Sequence, residues 1–296
     1  MKDRFYKQVK KIKGVKILKN ISVRDDNNLK IEAKFLYKLE ISNFYSIKKV
    51  FMYIKKYNIK YYIIGKGSNI LFSKDYYNGA LIKLMPKKSR YNNIINAGDS
   101  LPYLNNNYLK AGISTLNFLT GVPCSIGGAI YMNAGAFNKE MSDIVEFVYA
   151  YDIDNDKFVV FTNKECEFSY RDSYFKHNNL LILGAKIKLE YLNKDELLKK
   201  HQEYLKLRIN KLPLEYPNLG SIFKNPKGLS AGKLIESIGM KGLIVGGGMI
   251  SKKHANVIIN YDNAESKDIL HLIKIIQEEV YQKYKILLEL EIIIFK

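Results

Sequence analysis

Two glycine-rich strings carry the first chemical signal in this chain: Gly65-Lys66-Gly67-Ser68-Asn69 and Gly121-Val122-Pro123-Cys124-Ser125-Ile126-Gly127-Gly128-Ala129. Glycine accepts positive φ and leaves no Cβ in the way, so several main-chain N–H groups in such a turn can converge on a phosphate. Neither string has the spacing of a Walker loop or of the G-x-G-x-x-G fingerprint, so an ordinary P-loop or Rossmann site is not expected. Taken singly, each is explained at least as well by a tight turn. The two cysteines, Cys124 and Cys166, lie far apart and make neither a C-x-x-C pair nor a ligand cluster with the four scattered histidines. Free thiols and no bound metal are expected.

The elements that must position these strings follow from periodicity. Ser46 to Asn58 places Ile47, Val50, Phe51, Ile54 and Tyr57 at helical spacing behind a Ser46 cap, and Tyr61 to Ile64 reads as a short buried strand leading into the first glycine turn. Ile70 to Phe72 and Ala80 to Leu84 resume strand character. A second helical stretch, Leu101 to Thr120, precedes the second glycine string. Residues 145–190 alternate apolar and polar around a turn at Asp154 to Asp156, with 180–190 the longest strand candidate, which predicts a largely antiparallel sheet. A charged helix is expected over Asp195 to Lys211, broken by Leu212-Pro213-Leu214-Glu215-Tyr216-Pro217, with a boundary near Tyr191 to Asp195. The last helix, Ser266 to Tyr284, carries Ile269, Leu272, Ile273, Ile276, Val280 and Tyr284 on one face, and the run Leu287 to Phe295 reads as strand.

At 296 residues with 47% apolar content, the chain exceeds what one core usually organises, so two or three packed domains are expected. A formal charge of +19 raises the question of nucleic acid. The lysines, however, are spread along the whole chain and form no basic stripe, so no nucleic-acid partner is expected; the charge instead suits an anionic small substrate. No stretch of ~18 uncharged apolar residues occurs, and the charged start Lys2-Asp3-Arg4 is unlike a signal core, so no membrane span and a cytoplasmic location are expected.

Five strings, in order, change the weight of the glycine turns: IIGKGSNILF, GVPCSIGGAIYMNAGAF, FSYRDSYF, GSIFKNP with AGKLIESIGMKG, and KHANVIIN before the terminal LELEI. Together they resemble the UDP-N-acetylenolpyruvoylglucosamine reductases, in the shorter form of that family, from about Leu18 to Phe295. The resemblance implies an α+β architecture: an FAD-binding two-domain unit of the vanillyl-alcohol-oxidase-like type plus a C-terminal α+β substrate-binding domain. Divisions at 1–85, 86–194 and 195–296 follow, with the terminal strand packing back on the FAD domains. It further implies noncovalent FAD, NADPH as hydride donor, a UDP-sugar substrate, peptidoglycan synthesis as the setting, and a monomer as a plausible state.

The resemblance also assigns residues. Gly65, Lys66, Gly67, Ser68 and Asn69, with Gly121, Val122, Pro123, Cys124, Ser125, Gly127, Gly128, Ala129, Asn133 and Ala134, match the FAD-binding region. Arg171, Ser221 and Glu291 match the catalytic positions. Tyr170, Arg208, Asn225, Lys241, His254 and Asn256 match the substrate-binding region.

The catalytic types suit reduction of an enolpyruvyl ether, in which hydride adds to the terminal carbon and a proton must then reach C2. Arginine offers a fixed fork of donors to the substrate carboxylate, where charge develops. A serine hydroxyl is acidic enough for a carbanion-like enolate within hydrogen-bond reach. A protonated glutamate would assist by hydrogen-bonding the enolate, which requires a raised pKa.

The chain departs from the family pattern at four places. Glu32-Ala33 stands where Gly-Gly is common, Lys66 and Cys124 replace glycines, and Asn117 replaces a common Glu. Two other readings stay open on sequence: another FAD oxidoreductase of the same fold, or a catalytically dead protein that binds nucleotide-sugar or nucleic acid.

Overall fold

Every second side chain of Lys34–Ile41 is buried, so Phe35, Tyr37, Leu39 and Ile41 point into a core while their neighbours face outward, the period-2 pattern of a half-buried strand. The computed structural model describes residues 2–89 and 92–296. In chain order its first elements are α1 (Lys2–Val9), β1 (Val15–Ser22), β2 (Lys34–Ile41), α2 (Ile47–Lys56), β3 (Tyr61–Ile64), β4 (Ile70–Phe72), β5 (Tyr76–Leu84), β6 (Ile94–Asn96), α3 (Leu101–Lys110), α4 (Ile126–Tyr131), β7 (Gly135–Ala136) and β8 (Lys139–Glu140). There follow β9 (Val145–Asp152), β10 (Lys157–Thr162), α5 (Tyr174–His177), β11 (Leu180–Ile187), α6 (Lys194–Lys211), β12 (Asn218–Ser221) and α7 (Ala231–Ser237). The chain closes with β13 (Ile244–Val245), β14 (Gly248–Ile250), β15 (Val257–Asn260), α8 (Ser266–Tyr284) and β16 (Ile293–Phe295).

Two compact units result, each assembled from separate stretches. The first holds the chain up to Ile21 with Phe35–Lys66 and Asn78–Leu205; the second holds Ser22–Lys34, Gly67–Tyr77 and Lys206–Lys296.

The first unit has two four-stranded sheets, ordered β1-β2-β5-β3 and β10-β9-β11-β6. β3 runs parallel to β5, whereas β9 pairs antiparallel with both β10 and β11, as the alternation over 145–190 predicts. α2 buries Ile47, Val50, Phe51 and Ile54 in the core. Ser46 does not cap it: its hydroxyl donates to the Lys13 carbonyl at 2.6 Å, and Asn43 caps the preceding turn by accepting from Tyr45 N–H at 3.1 Å. α3 ends at Lys110, short of the expected Thr120, because Gly112 at φ +71° turns the chain out of the helix. The apolar spacing beyond it, Ile113, Leu116 and Leu119, buries a loop instead.

The second unit has a sheet ordered β12-β15-β14-β13 and the parallel pair β16-β4. α8 spans the expected residues and buries Ile269, Leu272, Ile273, Ile276 and Val280. The strand-like run 287–295 is divided. Lys224 N–H donates to Glu289 O at 2.8 Å and Leu290 bridges Phe223, after which residues 293–295 change partner to β4. Among the described residues no helix is long and apolar enough to cross a membrane.

Candidate active site

In the first unit Gly65 of the first glycine string meets Ser125 of the second. A Cβ on Gly65 would stand 2.2 Å from Ser125 Oγ, so only glycine permits this approach. Ser125 Oγ in turn accepts from Gly128 N–H at 3.2 Å and caps α4. The start of α4 is held from below: Ile126 N–H donates to Asp99 O at 3.0 Å and Gly127 N–H to Ala97 O at 2.9 Å. The fully buried Asp99 carboxylate accepts three main-chain N–H bonds, from Lys87, Lys88 and Ser89, at 2.8, 2.8 and 2.9 Å. Sequence reasoning missed Asp99; its setting in Gly98-Asp99-Ser100 was the available signal.

Gly67, in the second unit, sits at φ +63°, and a Cβ there would lie 1.9 Å from Asp26 O. Asn28 N–H donates to Gly67 O at 3.1 Å, and buried Asn27 ties the segment down by accepting from Leu29 N–H at 2.9 Å and donating to Ile70 O. Among the described residues, the N–H groups of Lys66, Gly67, Ser68 and Asn69 donate to no protein group. The turn therefore offers a row of unspent donors.

Arg171 lies in the first unit at the tip of a tight turn closed by Ser169 and Asp172, each donating its N–H to the other's carbonyl at 3.1 Å. Its φ is +57°, its Nη2 donates to Gly135 O at 2.9 Å, and Glu140 Oε1 stands 3.8 Å from Nη1. The guanidinium also sits 5.1 Å from the Tyr170 ring centre. Asn133, expected at the cofactor, spends its side chain inside the fold. Its Nδ2 donates to Glu140 Oε2 at 2.8 Å and to Ser169 O at 2.9 Å, and its Oδ1 accepts from Ser142 N–H at 2.9 Å. Burial works against ionising Asp172, but its hydrogen bond from His177, the Ser173 N–H and the nearby Lys176 outweigh it and hold this carboxyl below the ordinary range.

Ser221 and Glu291 come together in the second unit: Glu291 N–H donates to the carbonyl of Ile222, next to Ser221, at 2.8 Å. Asn256 is buried and braces the same segment, its main-chain O accepting from Ile222 N–H at 2.9 Å and its side chain bonding both polar groups of Phe223. Among the described residues the Ser221 hydroxyl has no hydrogen-bond partner, and the space beside Gly220 is open. His254 packs at the start of α7, its Cε1 3.2 Å from where a Gly232 Cβ would be, and its Nδ1 accepts from Asn256 N–H at 3.2 Å. Burial first, then the charge of Lys241, lowers its pKa. Lys241 is paired with Glu236 at 2.5 Å. Asn225 Oδ1 accepts from Ala231 N–H at 3.0 Å, and Arg208 lies in the last turn of α6.

Neither cysteine is in a disulfide, and burial pushes the Cys166 thiol up to about 12. Among the described residues no group of three or more His, Cys, Asp or Glu side chains is arranged to hold a metal ion.

The UDP-N-acetylenolpyruvoylglucosamine reductase of Caldanaerobacter subterraneus subsp. tengcongensis is 40% identical over 248 residues, covering 81% of this chain and 80% of its own. That of Carboxydothermus hydrogenoformans is 38% identical over 286 residues, 94% of each chain. The chain belongs to the UDP-N-acetylenolpyruvoylglucosamine reductases. Residues 212–295 match the C-terminal domain model of the UDP-N-acetylenolpyruvoylglucosamine reductases, and residues 40–159 match an FAD binding domain. The crystal structure of the UDP-N-acetylenolpyruvylglucosamine reductase from Thermus caldophilus has the same fold, with a TM-score of 0.81 at 31% identity, over 95% of this chain and 99% of that one.

The glycine strings of this reductase fit FAD on their own chemistry. A diphosphate needs several convergent donors and no bulk, and the turn supplies unspent N–H groups over 66–69 and, at Gly65 and Gly67, no side chain. Lys66 adds an exposed positive charge to the same turn.

Proposed function

We propose that this chain reduces the enolpyruvyl ether of UDP-N-acetylenolpyruvoylglucosamine to UDP-N-acetylmuramate for peptidoglycan synthesis, in the cytoplasm, with noncovalent FAD and with NADPH as hydride donor. FAD supplies the hydride path from NADPH to the terminal carbon of the enolpyruvyl group. The chain's own residues do the rest. Arg171 presents its fork to the substrate carboxylate, where negative charge grows. Ser221 delivers the proton to C2, and Glu291, when protonated, hydrogen-bonds the developing enolate. Lys241, Arg208, Asn225, His254 and Tyr170 are read as nucleotide-sugar contacts, and Asn256 as the brace of the Ser221 segment.

The observation that carries this reading is the Ser221 hydroxyl, which among the described residues has no hydrogen-bond partner, on a segment whose neighbours are tightly bonded. A serine with only a structural role would normally spend its hydroxyl on nearby backbone. The test is optical. The purified protein is yellow and releases intact FAD on denaturation; NADPH bleaches it, and the enolpyruvyl nucleotide restores the colour in the absence of oxygen. Bleaching that this nucleotide does not reverse overturns the substrate assignment, and a protein that takes up no FAD overturns the reading as a whole.

A further inference from the structure

The hairpin that holds Arg171 has an unusual tip. β7 and β8 pair Gly135 with Glu140 and Ala136 with Lys139, leaving Phe137 and Asn138 as the two-residue turn, at φ +51° and +60°. Positive φ at both central positions is the pattern of a type I′ turn, made most readily by Asn-Gly, Asp-Gly or Gly-Gly. Asn138 meets that demand. Phe137 does not, because a bulky side chain in the left-handed region is an outlier that persists only when its surroundings hold it.

What holds it is a ring on α6. Phe137 stacks on Tyr204 with 3.9 Å between ring centres and 8° between planes. α6 is a firm platform at that point although it buries only Leu197. Four residues on, His201 Nδ1 lies 2.9 Å from Thr120 Oγ1 and 3.1 Å from Asn117 Oδ1, an oxygen that only accepts, so Nδ1 is the donor. Leu197, His201 and Tyr204 stand at i, i+4 and i+7 and so share one helix face.

The second register pair from the turn carries the groups that hold the guanidinium: Gly135 O at 2.9 Å from Arg171 Nη2, and Glu140 Oε1 at 3.8 Å from Nη1. We infer that Tyr204 is a positioning residue for Arg171, acting through the Phe137 ring to set the hairpin against which the guanidinium is aimed; this rests on the reading of Arg171 as the partner of the substrate carboxylate. Without Tyr204 the turn keeps its strained residue and loses its support, the hairpin relaxes, and the donor fork moves off line.

Calorimetry on the FAD-loaded protein, with no turnover, tests this through two probes, UDP-N-acetylmuramate, which carries the carboxylate, and UDP-N-acetylglucosamine, which lacks it. The readout is the ratio of the two dissociation constants. Arg171→Ala abolishes the preference for the acid, Tyr204→Ala narrows it about tenfold, as a small misplacement of a positioning group does, and Tyr204→Phe keeps it. Phe137→Gly relieves the turn, so the hairpin no longer needs the ring beneath it and the ratio stays near wild type. The double variant likewise regains most of the preference that Tyr204→Ala loses, since the strain left unsupported is gone. A wild-type ratio in Tyr204→Ala, or equal weakening of both nucleotides, overturns the inference and leaves the function standing if Arg171→Ala still loses the preference. A wild-type ratio in Arg171→Ala overturns the carboxylate reading, and the inference falls with it.

Discussion

Asn256 grips Phe223 from both sides: its Oδ1 accepts from the Phe223 N–H at 2.9 Å and its Nδ2 donates to the Phe223 carbonyl at 2.8 Å. Both residues are buried, so water cannot replace either bond. Asn256→Ala leaves two buried main-chain groups unpaired and is expected to lower stability by on the order of 2 kcal/mol, seen as a shifted urea midpoint, with reoxidation by the nucleotide slowed more than reduction by NADPH. An unchanged midpoint with weakened nucleotide binding would make Asn256 a substrate contact instead.

Ser221→Ala separates the two half-reactions, because the hydroxyl acts only when C2 takes its proton. Stopped-flow absorbance should show near-normal reduction by NADPH and reoxidation by the enolpyruvyl nucleotide slowed at least ~10²-fold, the lower range for a positioned general acid. Equal slowing of both phases would make Ser221 a structural residue and move attention to Glu291.

Gly65→Ala places a methyl 2.2 Å from Ser125 Oγ. Overpacking of this kind costs ~1–3 kcal/mol, so FAD affinity should fall by about 5- to 150-fold where that cost falls on the bound state. Adding Ser125→Ala removes the colliding oxygen, and the double variant should regain part of the lost affinity despite losing the α4 cap. FAD titration of the apoprotein measures both, and a single variant that holds FAD normally refutes the role of this approach.

Stability should fall on acidification below the ordinary histidine value. His254 is lowered by burial and by the charge of Lys241, and His201 by burial. In the unfolded chain both titrate near 6.5, so as pH drops past that point the unfolded state takes up protons that the folded state resists. The contribution is whole above about 6.5 and is lost toward the depressed folded values. His254→Gln should flatten part of that slope in denaturation series run between about pH 7 and pH 5.5; an unaltered slope would show that His254 protonates freely in the fold.

How legible all this was depends on whether the deciding contact was local. α8 was readable to its ends because five buried side chains repeat at helical spacing over Ser266–Tyr284. α3 was overextended because Ile113, Leu116 and Leu119 continue an apolar rhythm that only the left-handed Gly112 interrupts. The glycine strings and Arg171, Ser221 and Glu291 were singled out from motif order. Their supports were harder to see, since Asp99 and the Tyr204 ring stand outside the five strings, and Asn256, expected at the substrate, braces Phe223 of another string through backbone atoms. The interleaving of the two units was equally hidden, because nothing local in Ser22–Lys34 or Gly67–Tyr77 announces its partner in Lys206–Lys296.

The parallel pairing of β16 with β4 joins Ile293 to Ile70 and Phe295 to Phe72. On the ribosome, then, β4 emerges early and waits for all the chain between it and β16 to be translated before this pairing can form. Closure across so long a loop is slow, and an unpaired apolar edge invites association with other chains meanwhile. The second unit is thus the last to be completed, and its vulnerable interval is set by the pace of synthesis as much as by the strength of its core.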